Sequence, residues 1–182
     1  MVIPIHHLVK IDDFPQKKLN HWLNHQDSLT EKLQAYFGPT HLTLLEQDFF
    51  LPSWWDKFTL KILDKKVFHR KIVMFAKQQP CWYAKTIIPL SCYQENTHLF
   101  YRLAHETVGS IVFSDTRITR LRLLNYAIDE RCIEYHWLPK EIIVEKKPLW
   151  LRFSEFKIAD SVPFYLIEIL LPNLIRMIDE ME

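Results

Sequence analysis

From Val67 to Phe75 the chain reads VFHRKIVMF, and every second position carries Phe68, Arg70, Ile72 and Met74. In a half-buried strand these four share one face, so Arg70 points toward the core that Ile72 and Met74 occupy. An unpaired guanidinium there is costly, so the pattern predicts either escape to solvent at the strand end or an internal anionic partner. The same two-residue period marks HLTLLEQ (41–47), WYAKTIIPL (82–90), RITRLRLLNY (117–126), LWLRFSEFKI (149–158) and VPFYLIEILL (162–171). The short run SIVF (110–113) also reads as a strand, and KQQP and ADS read as turns between flanking strands.

A helical period governs residues 16–24, with Leu19, Trp22 and Leu23 inward, and residues 27–38, where Leu29, Leu33 and Phe37 recur. Ser28 followed by Glu31 forms a capping-box pattern, and Gly38 before Pro39 predicts the stop. Residues 93–108 return to helical spacing, while Ile128 to Lys147 follows neither period. Helices gathered around hairpins predict an α+β fold with an antiparallel sheet, and the length suits one domain over residues 1–182.

The last strand repeats the Arg70 puzzle with opposite sign. Its even positions are Val162, Phe164, Leu166, Glu168 and Leu170, so Glu168 sits among apolar neighbours. Two readings stand side by side. One is a structural Arg70–Glu168 pair, or two edge residues reaching water. The other is a small polar site in an apolar pocket, with Arg70 holding a carboxylate and Glu168 meeting a hydroxyl.

Composition narrows the chemistry. A hydrophobic share of 48% with net charge +1 describes a globular chain without a global field for nucleic acid or an anionic membrane, so partners must be argued locally. Three cysteines without CxxC spacing fit a reducing compartment. No leader and no apolar run of spanning length is seen, so the expected location is the cytoplasm, without membrane insertion. Two glycines are too few for a phosphate-cradling loop or a dinucleotide fingerprint. His21 and His25 share a helix face at i, i+4 spacing but lack a third ligand, so no metal is expected. Strand alternation separates Arg117 from Arg120 and Arg122, which argues for ion pairs at a sheet edge or flap and against a nucleic-acid stripe.

The blocks DSLTEKL, HRKIVMF, WYAKTIIPLS, TVGSIVF with RITR, and VPFYLIEILLP, in that order, resemble the chorismate pyruvate-lyase family from about Trp22 to Pro172. The resemblance implies an antiparallel sheet flanked by helices, with a ligand pocket enclosed under flaps. It implies a monomeric lyase that takes chorismate to 4-hydroxybenzoate and pyruvate for ubiquinone synthesis, with a small-molecule substrate and no cofactor. The family's carboxylate-binding arginine falls on Arg70 and its glutamate near the ligand hydroxyl on Glu168, the two expected catalytic positions. Its backbone contacts fall on Leu29 and Val108. These positions make physical sense: a first-turn N–H after a capping serine is free for an anion, and Gly109 permits close approach beside Val108.

Departures from the family pattern are local. Lys85 stands where the family commonly has arginine, which puts a second carboxylate contact in question. Residues 128–147 are longer, and KIADSVP replaces a tighter glycine turn. The aromatic run FFLPSWW (49–55) falls at a flap position and reads equally as core. The alternative function is a non-catalytic domain of the same fold that binds an aromatic carboxylate, as in some transcription regulators. Residues 1–40 offer no convincing helix-turn-helix, which favours the enzyme.

Overall fold

The computed structural model describes residue 15, residues 17–142 and residues 147–180. Six strands form one antiparallel sheet: β1 (Thr40–Phe50), β2 (Val67–Ala76), β3 (Gln79–Pro89), β4 (Ile118–Ile128), β5 (Leu149–Ile158) and β6 (Phe164–Leu170). Their order is β1-β2-β3-β6-β5-β4, two three-stranded meanders joined where β3 pairs with β6. The α+β class expected from the alternation is the class observed.

The two faces of the sheet have different covers. The face carrying Ile72, Met74, Trp82 and Leu170 packs against α1 (Lys17–Leu23), α2 (Leu29–Phe37) and the C-terminal α7 (Pro172–Asp179). The other half of that face carries Phe68, Ile88, Phe156 and Phe164. It lies under α4 (Leu90–Glu95), α5 (Thr97–Phe100), a 3-10 turn (Tyr101–Ala104) and α6 (Val108–Ser114). The opposite face carries Val73, Ile87, Leu151 and Ile167 and is covered by α3 (Trp54–Thr59) and a 3-10 turn, Ile133–Trp137. Covers on both faces make β2 and β5 buried along almost their whole length. The three cysteines are buried and free.

Side-chain caps explain where α2, α3 and α6 begin. Ser28 accepts from the Glu31 N–H at 3.3 Å, half of the expected box, and Gly38 at φ 83° closes α2 by donating to Gln34 O. Reciprocal capping occurs instead at α3, between Ser53 and Asp56.

Several expectations are corrected. SIVF is not a strand: Thr107 accepts from Ser110 N and turns 108–114 into α6, because a four-residue apolar run does not distinguish strand from buried helix. The C-terminal helix α7 was hidden behind the strand-like run before it; Pro172 opens it at a position where a missing N–H costs nothing. FFLPSWW does not form one flap: Phe49 packs with Phe68 and Tyr93 on the face of Arg70, whereas Trp55, on the inner side of α3, is core on the opposite face. His25 lies beyond the end of α1, so the shared helix face of His21 and His25 does not form. A β-bulge at Leu121 breaks the alternation of β4. Arg120 opposes Phe156 on one face, and Arg122 opposes Glu155 on the other.

The β2–β3 hairpin turns through Lys77 and Gln78, both at positive φ (48° and 62°). This two-residue turn is favoured by Asn-Gly because left-handed backbone strains most side chains. Replacing Lys77-Gln78 by Asn-Gly is expected to stabilise the protein by about 1 to 2 kcal/mol, read as a raised urea midpoint with unchanged m-value.

Candidate functional site

One transverse row of the sheet runs Gln47, Arg70, Thr86, Leu166, Ser154, Leu123 across all six strands. It lies between the two apolar halves of the helix-covered face, and four of its six side chains are polar. The neighbouring row on the same face is Ile72, Ala84, Glu168, Arg152, Asn125. The site is therefore a polar band under the seam where the two helical covers meet.

Arg70 is buried and points into this band, as its strand position predicts. Its Nε donates to Gln47 Oε1 at 3.0 Å, and among the described residues no carboxylate pairs with it. Burial lowers its pKa, with no protein charge to offset the effect. Glu168 is on the same face, but its partner is not Arg70. Arg152 Nη1 donates to Glu168 Oε2 at 2.9 Å. Strand spacing and rise separate the Arg70 and Glu168 Cα atoms by roughly 12 Å. The two side chains can approach one molecule from opposite ends, and the direct Arg70–Glu168 pair is absent.

Arg152 was overlooked although the signal for it was the same as for Arg70: a cation among Trp150, Ser154 and Phe156 on the inward face of a strand. Only 1% exposed, it also donates through Nε to Leu23 O at 3.1 Å and through Nη2 to His25 O at 2.7 Å. Arg120, sent to this face by the bulge, donates to Gln26 O at 2.6 Å and lies 5.1 Å from the rings of Phe113 and Phe156. Two sheet arginines thus hold the carbonyls of the 23–26 segment, which leads directly into Ser28 and Leu29.

Leu29 and Val108 are both first residues of helices, α2 and α6, whose first N–H groups have no intrahelical partner. The two helix starts touch. A Cβ on Gly109 would lie 2.8 Å from Ser28 Oγ, so the glycine is needed for contact between the covers, beyond any approach to a ligand. A cleft at this seam is lined by Leu29, Val108, Gly109, Arg152, Leu166 and Glu168. Arg70 does not line that cleft; it lies two strands from Leu166 along the polar row. Ser154, also missed in the sequence, has a buried Oγ without a hydrogen-bond partner in the row.

The surroundings are rich in cations. Lys32, whose Nζ donates to His21 O at 3.0 Å, is lowered in pKa by burial and by Arg152. His25 is lowered by burial, then by Lys32, with Asp27 opposing.

Lys85 is not part of this site. Its strand position sends it to the opposite face, beside Lys71 in register. There its Nζ lies 4.2 Å from the Trp137 ring centroid and 5.9 Å from that of Trp55. Burial pushes its pKa down to about 8, with Asp56 and Glu134 among the charges that hold it up. Glu134 accepts from Trp55 Nε1 at 2.9 Å, and His69 Nε2 lies 3.3 Å from Asp56 Oδ2.

The family model described as chorismate lyase matches residues 10–174. A probable chorismate pyruvate-lyase of Aliivibrio fischeri is 27% identical over 158 residues, covering 82% of each chain. The chorismate pyruvate-lyase of Pectobacterium atrosepticum is 22% identical over 146 residues, 79% of this chain and 78% of that one. Among solved structures, the C-terminal domain of the histidine utilization repressor from Pseudomonas syringae pv. tomato superposes with a TM-score of 0.55 at 12% identity. That match covers 74% of this chain and 93% of the domain, and it speaks to fold alone.

Two outcomes follow from the charges described. Arg152→Met leaves the Glu168 carboxylate buried without its partner and frees two carbonyls, and is expected to destabilise by about 3 to 5 kcal/mol. Urea unfolding checks this, and the Arg152→Met/Glu168→Leu double variant should recover part of the loss. For Lys85 the folded value near 8 lies below the ordinary 10.5, so the unfolded chain binds more protons in between. Its stability contribution therefore rises with pH across that window. Relative to Lys85→Met, the unaltered protein should gain on the order of 1 to 2 kcal/mol between pH 7.5 and 9.5.

Proposed function

The chain belongs to the chorismate lyase family, and from that premise we propose that it eliminates pyruvate from chorismate and leaves 4-hydroxybenzoate. In this reaction the ring carbon–ether oxygen bond breaks, the neighbouring hydroxyl-bearing carbon gives up its hydrogen, and the enolpyruvyl methylene gains one. Aromatisation drives it, so the protein's task is to orient a dicarboxylate and to stabilise charge at the departing oxygen.

The observation that carries this reading is Arg70, a buried guanidinium on a core-facing strand position without a carboxylate partner among the described residues. Its fork takes the ring carboxylate, with Gln47 fixing its orientation. Glu168 Oε2 is engaged by Arg152, which leaves Oε1 to accept from the ring hydroxyl. In this role Glu168 positions the substrate and is not the proton donor. Leu29 and Val108 line the same cleft as Glu168, and their free first-turn N–H groups are assigned to the charge that develops as the ether breaks. Arg70, Arg120, Arg152 and Lys32 outnumber Glu168 and Asp27 around the seam, which suits a doubly anionic substrate.

Incubating the purified protein with chorismate should give 4-hydroxybenzoate and pyruvate in equal amounts. Binding of 4-hydroxybenzoate without turnover would instead make the domain a ligand-binding module. Arg70→Ala should weaken 4-hydroxybenzoate binding by about 2 to 4 kcal/mol, measured by calorimetry, while the melting temperature without ligand falls little. Glu168→Gln should raise KM more than it lowers kcat; the reverse balance would make Glu168 the acid.

A further inference from the structure

Helix α3 lies on the face away from the polar band. Its inner residues, Trp55, Asp56 and Thr59, are buried. Outward, Trp54 and Phe58 are 59% and 57% exposed and stack on each other with centroids 4.9 Å apart. Leu51 before the helix is 78% exposed, and Leu63 after it 94%. Four large apolar side chains thus face water within thirteen residues of chain, the middle two on a helix begun by the Ser53–Asp56 capping box.

The charges of this segment have one exposed sign. Lys57, Lys61, Lys65 and Lys66 are all exposed, and none forms an ion pair with a described residue. Of its two acids, Asp56 is fully buried, and Asp64 is half-buried and accepts from Ser91 N at 2.6 Å. The surface presented is aromatic and aliphatic, interspersed with lysine and without an exposed carboxylate.

We propose that α3 and its flanks, Leu51 to Lys66, dock the protein on an anionic lipid bilayer. Trp54, Phe58, Leu51 and Leu63 enter the headgroup boundary, and the four lysines meet lipid phosphates. Protein–protein interface cores are depleted in lysine, whereas a negatively charged leaflet attracts each one near its surface. Trp and Phe on a short amphipathic face partition into the interface without spanning it. Among the described residues no helix is long and apolar enough to cross a membrane, so the contact is peripheral. Docking through this face leaves the seam above Arg70 and Glu168 on the side of the sheet away from the bilayer.

Co-sedimentation with vesicles tests the proposal independently of the chemistry at the seam. The protein should pellet with phosphatidylcholine vesicles containing about one-third phosphatidylglycerol, far less with phosphatidylcholine alone, and should be released by about 0.5 M salt. Trp54→Ala/Phe58→Ala and Lys57→Glu/Lys61→Glu should each lower the bound fraction by about tenfold, with unchanged circular dichroism and unchanged turnover or ligand binding. Wild-type-like pelleting of both variants, or no pelleting of the unaltered protein, overturns the proposal. Self-association in the ultracentrifuge that Trp54→Ala abolishes, without vesicle binding, would assign the patch to a second copy of the chain and also overturn it.

Discussion

The triple contact of Arg152 is the fastening on which the polar band depends. One buried guanidinium joins the Glu168 carboxylate of β6 to two carbonyls at the end of α1. The charge on the sheet is satisfied only when the 23–26 segment is in place, and that segment fixes where α2 begins. Arg120 adds a second tie to the same stretch at Gln26. Sheet, turn and helix start are thus held by charge-assisted hydrogen bonds, which are stronger and more directional than neutral ones.

Around that fastening the apolar cores do the opposite work. Two separate clusters cover the two halves of one sheet face, and neither reaches across the row of Gln47, Arg70, Thr86 and Ser154. Among the described residues, only Leu166 packs against both. Polar residues in one row of a continuous sheet remain aligned because hydrogen-bonded register leaves them no freedom to slide. The close contact of Ser28 with Gly109 then closes the covers over the row. The result is a narrow polar strip roofed by two helix starts, the place where the proposed function puts its substrate.

The other face carries charge for a different reason. Lys85 and Glu134 are buried beside Trp55, Trp137, Asp56 and His69, and burial moves Lys85 down and Glu134 up in pKa. Lysine between two indole rings loses hydration but gains contact with their negative faces. Lys85 faces away from the polar band, and Arg70 is the guanidinium of the row that runs from Gln47 to Leu123.

The sequence alone determined the strand alternation, and with it the inward direction of Arg70 and Glu168, since a period of two leaves each side chain only two faces. It also determined the start and stop of α2, through Ser28 and Gly38, because capping is a property of neighbouring residues. It did not determine which buried charge meets which. Arg70 and Glu168 read as natural partners, yet the β3–β6 and β5–β6 pairings set Arg152 beside Glu168 and keep Arg70 roughly two strands away. The bulge at Leu121 likewise put Arg120 and Arg122, expected on one face, on opposite faces, and a cap at Thr107 made a helix of a strand-like run. Strand order, register slips and the meeting of Ser28 with Gly109 are contacts between residues far apart in the chain. Local pattern carries no information about their separation, so only the tertiary structure decided them.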